Sequence, residues 1–199
     1  MIAKTTGIDA DHEMPRTLTL DAQSMETWLD ALRCVPTDPM KMLEWVNGPL
    51  KRFFEFKRVV CVHGELVAGQ ISITHYITSG FTEEYEAELA LSFELPRRGM
   101  IVKWLSDRQP FYINSDNPPS HATAFEMEDI RRNGLGNLAC HGVLNAKTNA
   151  GTYFSFSGIV PIATDWHLDA LRLVVPVLND WRDGTIRSVL ALTRNLLLF

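Results

Sequence analysis

Apolar positions along the chain change period several times, and each change marks an element. Met25, Trp28, Leu29 and Leu32 recur at helical spacing, so residues 19–34 read as a helix that Asp21 or Ser24 caps. Pro36 and Pro39 end that pattern. Thr37 opens a second helix with Met40, Leu43, Val46, Leu50 and Phe53 on its stripe, and Pro49 inside it predicts a kink or a break after Asn47-Gly48. The period then falls to two. Over 58–65, Val59, Cys61 and His63 face one way and Val60 and Val62 the other. Over 69–77, Ile71, Ile73 and His75 alternate with Ser72, Thr74 and Tyr76.

Helical spacing returns after Ser79-Gly80. Thr82 caps a helix with Tyr85, Leu89 and Phe93 on its buried stripe, and Pro96 opens another carrying Met100, Ile101, Trp104 and Leu105. Phe111 to Ile113 is a short edge strand, 114–120 a loop, and 125–132 a short helix. Two extended runs follow, 138–144 and 152–159, joined by turn residues. In the second run Phe154 and Phe156 share one face, while Tyr153, Ser155 and Ser157 share the other. Thr164 then caps a long helix with Leu168, Leu171, Val175 and Leu178 on its stripe. Pro176 should kink it, and Asp183-Gly184 should break it before a last helix over 185–199 that ends in LLLF.

This order predicts an α/β fold: an α/β/α sandwich with a central, mostly antiparallel sheet of about five strands and helices on both faces. Residues 1–18 read as a flexible leader, 19–184 as the domain, and 185–199 as a C-terminal helix serving as linker or dimerisation element.

At 199 residues, with 46% hydrophobic content, the chain is long enough to bury a core without metal or disulfide support. No apolar run approaches the roughly 18 residues of a spanning helix, so no membrane contact is expected. Three cysteines at unpatterned spacing fit a reducing, cytoplasmic setting, with Cys61 and Cys140 as small buried hydrophobes. A formal net charge of −5 argues against nucleic-acid binding by these residues.

Candidate chemistry narrows quickly. No GxSxG elbow is present, and Cys140 and His141 are adjacent on a strand, so they face opposite ways and cannot form a nucleophile–base pair. The chain is therefore not expected to be an enzyme. Cys61, His63, His75 and His141 could converge on a metal, but no CxxC or HxxxH spacing supports that, and no metal or cofactor is expected. The glycines at 134 and 136 follow a helix rather than a strand, which is the wrong context for a phosphate loop. A pocket remains. Tyr76, Tyr85, Trp104, His141, Tyr153 and Ser155 offer apolar walls with a few polar tips, the usual make-up of a small-molecule site. The competing reading is that the same residues fill a core.

The segment RRNGLGNLACHGVLNAKTNAGTYFSFSG resembles the last hairpin of the sensor domain of LuxR-type transcriptional regulators, and DALRLVVPVLNDWRDGTIRSV resembles the helix that follows it. MLEWVNGPLKRFFEFKRVVCVHGEL and VKWLSDRQPFYIN are similar to the EpsA-like branch. The likeness spans roughly residues 20–190, and it implies a GAF/PAS-like fold, a small-molecule signal and a homodimer. It also implies that Ser155 stands where that family places a small hydroxyl residue facing the ligand. Lactone binders of the family carry a Trp and an Asp-Pro pair, whereas here Tyr85 stands at the Trp position and Leu95 precedes Pro96. The carboxylate that meets a lactone's amide is thus absent. The family continues into a helix-turn-helix beyond this point, so residues 1–199 are expected to reach DNA only through such a unit. A ligand-free protein-interaction module is the alternative.

Overall fold

Two long hairpins and one short strand form the frame. A computed structural model describes residues 19–67, 70–91 and 97–196, with 39, 70, 88–91 (and so the Leu89 side chain) and 181–196 described as backbone only. The leader over 1–18, Phe93, the Leu95-Pro96 step and the last three residues lie outside the described residues. Strands β1 (Arg58–Val67) and β2 (Gln70–Ser79) make the first hairpin, and β4 (Asn137–Asn145) and β5 (Ala150–Ile159) the second. Strand β3 (Phe111–Ile113) covers only the first part of β4. The sheet order is β2-β1-β5-β4-β3, with every neighbouring pair antiparallel. The two hairpins therefore meet through β1 and β5.

Helices cover both faces. On one face lie α1 (Ala22–Arg33), the short helices α2 (Met42–Trp45) and α3 (Lys51–Phe53), and the long α7 (Asp165–Leu196). Their apolar sides meet Val59 and Cys61 of β1, Ala139 of β4, and Phe154 and Phe156 of β5. Phe54 and Phe56 each approach Phe156 edge-on, with ring centroids 4.9 Å apart. Each aromatic ring buried here contributes about 1.5–3 kcal/mol. Trp45 keeps its polar tip satisfied by donating to the Ala31 carbonyl at 2.8 Å. The other face carries α4 (Glu83–Leu91), α5 (Gly99–Asp107) and α6 (Ala124–Arg132), packed over Ile113, Leu138 and Cys140.

Local chemistry explains the helix starts. Asp21 accepts from the Ser24 N–H at 2.8 Å, and Thr82 accepts from the Tyr85 N–H at 3.3 Å. Thr123 and Glu126 form a reciprocal capping box on α6. At α7, His167 takes the part of the returning side chain, its Nδ1 accepting from the Thr164 N–H at 3.0 Å.

Two expectations differ from the structure. The second helical stripe is not Met40, Leu43, Val46, Leu50 and Phe53. Met40 is 82% exposed, and the buried set is Met42, Trp45, Val46, Leu50 and Phe53. Pro39 puts Met40 in a 3-10 turn, and Val46–Leu50 form a π-helical turn around Pro49 whose extra residue shifts the phase. The predicted break at Asp183-Gly184 does not occur, since α7 runs through it as one helix of 32 residues. A single interior glycine costs a helix only about 1 kcal/mol, which its neighbours can offset.

Candidate functional site

The face of β5 opposite the two phenylalanines looks onto a cavity of about 70 Å³. Tyr153, Ser155 and Ser157 of β5, Val60 and Val62 of β1, and Leu138 and Cys140 of β4 make its floor. Tyr85 of α4, Met100 and Ile101 of α5, and Ile130 of α6 close it from above, with Phe81 and Phe111 at the sides. Tyr85 stacks on Phe81 at 4.6 Å between centroids. A second cavity, about 40 Å³, lies beside the first under Trp104 and Leu105. The two share Val62, Ile101 and Tyr153, so the Tyr153 ring stands between them.

The polar groups fall into two sets. Along the floor, the Cys140 thiol donates to Ser155 Oγ at 3.3 Å. Burial pushes the Cys140 thiol up to about 11, against the bonds to Ser155 and Tyr153. Burial also pushes the Tyr153 hydroxyl well above its ordinary value. Both groups are therefore protonated at neutral pH, and the floor is neutral. Ser157 is 1% exposed, and its hydroxyl has no hydrogen-bond partner among the protein's groups.

The second set is charged and internally matched. Asp129 receives Arg98 at 3.1 Å, Arg132 at 3.5 Å and the Asn133 amide at 2.8 Å. Glu126 accepts from the Met100 N–H at 3.1 Å and the Thr123 N–H at 2.9 Å, which fastens α5 to α6. Two arginines thus stand against two carboxylates, and both carboxylates are occupied by protein donors.

Three of the six residues singled out from sequence, Tyr85, Tyr153 and Ser155, line the main cavity. Trp104 lines the second one and meets Tyr153 edge-on at 5.4 Å. Tyr76 and His141 lie outside both. Tyr76 pairs with Val62 and so shares the cavity face, but it sits on the edge strand at 40% exposure. His141 pairs with Phe154 and so belongs to the opposite face. Its ring reaches the edge of β4 beyond the end of β3, where Nδ1 accepts from Trp104 Nε1 at 3.4 Å. Burial, and then the charge of Arg172, lower its pKa to about 4. Cys140 and His141 point to opposite faces, as strand alternation requires.

The sequence reading missed Arg98, Glu126 and Asp129. The Thr-x-x-Glu spacing at 123–126 was the one available signal, and it marks Glu126 as a helix-capping group rather than a wall of the cavity. His63 accompanies Thr152, at 3.3 Å, and His75. Among the described residues, no group of three or more His, Cys, Asp or Glu side chains could hold a metal ion, and no helix is long and apolar enough to cross a membrane.

No protein-family model matches the chain, and no curated protein matches it in sequence. Solved structures do match in shape. The crystal structure of the N-acylhomoserine lactone dependent LuxR-family transcription factor CepR2 from Burkholderia cenocepacia superposes with a TM-score of 0.58 at 14% identity, over 85% of this chain and 99% of that one. The phycocyanobilin-bound GAF domain of a cyanobacterial phytochrome superposes with a TM-score of 0.51 at 9% identity, over 80% of this chain and 93% of that one. At these identities the likeness is one of fold. The chain has a mixed α/β architecture built on a five-stranded antiparallel sheet, and in fold it is similar to a LuxR-type autoinducer-binding protein and to a GAF domain.

Proposed function

We propose that this chain is the signal-sensing and dimerisation domain of a LuxR-type, EpsA-like transcriptional regulator in the cytoplasm. It binds a small ligand between the sheet and helices α4–α6. The observation that carries this reading is the cavity itself: an apolar chamber with few polar tips, lined by Tyr85, Tyr153 and Ser155. The fold supports it, since two of the proteins it resembles, lactone-dependent CepR2 and the phycocyanobilin-bound phytochrome domain, take small molecules. The ligand acts by population shift, favouring one packing of α5 over the sheet and thereby one disposition of α7. DNA is reached through a helix-turn-helix unit and not through these residues. The chain performs no catalysis.

Melting of the purified chain against a metabolite panel tests this. A compound at a hundredfold excess over its Kd stabilises the fold by about 2.7 kcal/mol, a shift of several degrees. A panel in which no compound moves the melting point, together with a cavity that stays closed to small apolar probes, overturns the reading.

The alternative, a ligand-free interaction module, draws on α7. Its 32 residues extend about 48 Å, against about 33 Å for the 10-residue β5. It predicts a dimer in light scattering that weakens on removal of residues 185–199. An unchanged oligomer counts against it.

A further inference from the structure

We propose that Ser157 is the polar anchor of the cavity, and that the ligand it takes is a small neutral molecule carrying one hydroxyl or carbonyl group on an apolar frame. The inference rests on the reading of this cavity as a ligand site and names the ligand's chemistry.

Three observations carry it. The Ser157 hydroxyl is buried at the cavity wall, and its Oγ has no partner among the protein's groups. A buried hydroxyl left in that state costs free energy that an alanine would not, so its presence needs a reason. A ligand group that can donate or accept supplies one, because a hydroxyl does both.

The backbone beside it is specialised. Leu138 pairs with Ser157 while Asn137 pairs with Ile159, so Gly158 is the extra residue of a β-bulge. Its φ is +74°, which favours glycine, and its N–H is held by the Leu135 carbonyl at 2.7 Å. A bulge re-aims the adjoining side chain and is costly to keep without purpose.

The remaining polar groups set the ligand's charge. Asp129 and Glu126 are already engaged by Arg98 and by backbone N–H groups, so an ammonium finds no free carboxylate. Arg98 also lines the cavity but is matched by Asp129, so a carboxylate ligand would bring an unmatched charge beside Glu126 and would lose its hydration. The cavity of about 70 Å³ is about half the roughly 150 Å³ that accepts a benzene ring in an engineered apolar site, which limits the ligand to a small frame.

The test is a protein-observed NMR titration of the full chain with five matched probes: cyclopentanol, cyclopentanone, cyclopentane, cyclopentanecarboxylate and cyclopentylamine. The alcohol and ketone should bind about 5–10-fold more tightly than the hydrocarbon, the worth of one hydrogen bond. They should shift resonances of Ser157 and Leu138, and the two charged probes should shift neither. Ser157→Ala should reduce alcohol and ketone to the affinity of cyclopentane, leave cyclopentane unchanged, and raise the melting point by about 2–4 °C. Ser157→Cys, nearly isosteric and a weaker hydrogen-bonding group, should lie between the two and serves if the alanine variant folds poorly.

Equal binding of cyclopentanol and cyclopentane overturns the proposal alone. So does an undiminished preference for the alcohol in Ser157→Ala, or binding of a charged probe as tight as the alcohol's. If none of the five probes shifts cavity resonances, the proposal and the reading of the cavity as a ligand site fail together.

Discussion

The indole N–H of Trp104 donates to Nδ1 of His141 at 3.4 Å, joining helix α5 above the cavities to strand β4 of the sheet. Nδ1 must be the unprotonated nitrogen, so the neutral ring carries its proton on Nε2. Protonation would put a second donor where an acceptor is needed. The ring also lies in the field of Arg172, which opposes a positive charge, though burial is the larger cause of its lowered pKa.

A pH dependence follows. The folded pKa of His141, about 4, lies below the ordinary 6.5. Between these values the unfolded chain binds more protons than the folded one, so stability is full above pH 6.5 and declines as pH falls toward 4. The loss is about 1–3 kcal/mol once partial exposure is allowed for. Burial lowers His167 as well, in the same direction. Urea unfolding at pH 7.5 and 5.0 should therefore show a drop that His141→Phe reduces without removing. A variant with the same slope as the unmodified chain would exclude His141 as a source.

Gly142, next to His141, is required by the close approach of β5 and of the Trp104 ring. A Cβ there would strike the Thr152 carbonyl and come within 2.7 Å of the Trp104 ring. Gly142→Ala should cost about 2–3 kcal/mol, because the backbone oxygen cannot swing away. The Trp104 signal in near-ultraviolet circular dichroism should change with it. A melting point within 1–2 °C of the unmodified protein would show that the strand accommodates the methyl.

The cysteines should differ sharply in reactivity. Cys34 is exposed, whereas Cys61 and Cys140 are buried. With its thiol pushed up to about 11, Cys140 holds on the order of one thiolate in a thousand at pH 8. Iodoacetamide at pH 8 should label one site in the native protein and three after denaturation, as read by mass spectrometry. Rapid native labelling of Cys140 would contradict the closed floor.

Asp169 ties the start of the domain to α7. At 2% exposure it accepts from Thr19 N–H at 2.8 Å, from the Thr19 hydroxyl at 2.7 Å and from Arg172 at 2.7 Å. Asp169→Ala leaves these donors unmet and should cost about 2–4 kcal/mol in chemical denaturation. Asp169→Asn, which keeps an acceptor, should recover part of that.

Much of this architecture was legible from local pattern. All five strands lie on stretches that read as extended, three of them by period-two alternation, and the split of β5 into an aromatic face and a polar face is the split between core and cavity. Asp21, Thr82 and Thr164 stand at helix starts because capping is decided by a few adjacent residues. What depends on distant partners was not legible. Nothing local says that β1 pairs with β5 rather than β4, so the sheet order came only from the structure. The 3-10 turn at Pro39 and the π-helical turn at Pro49 put Met42 and Trp45, in place of Met40 and Leu43, in line with Val46, Leu50 and Phe53. Arg98, just before α5, meets Asp129 of α6, and no spacing announces such a pair. Tyr76 and His141 have the right chemistry for a pocket, but Tyr76 lies on an edge strand and His141 on the reverse face. Ser157 was visible on the polar face of β5, yet only its lack of a partner in the fold sets it apart.

The β1–β5 junction bears on how the chain acquires its structure. Arg58 pairs with Ser157, nearly a hundred residues downstream, and these two strands hold the sheet together. The first hairpin can form early, but one edge of β1 stays bare, and Cys61 stays uncovered until β5 and α7 have been synthesised. Such long-range closure slows folding and prolongs the exposure of an unpaired edge. Substitutions in the β4–β5 hairpin should accordingly lower soluble yield on expression more than their equilibrium cost implies, because they delay the strand that caps that edge.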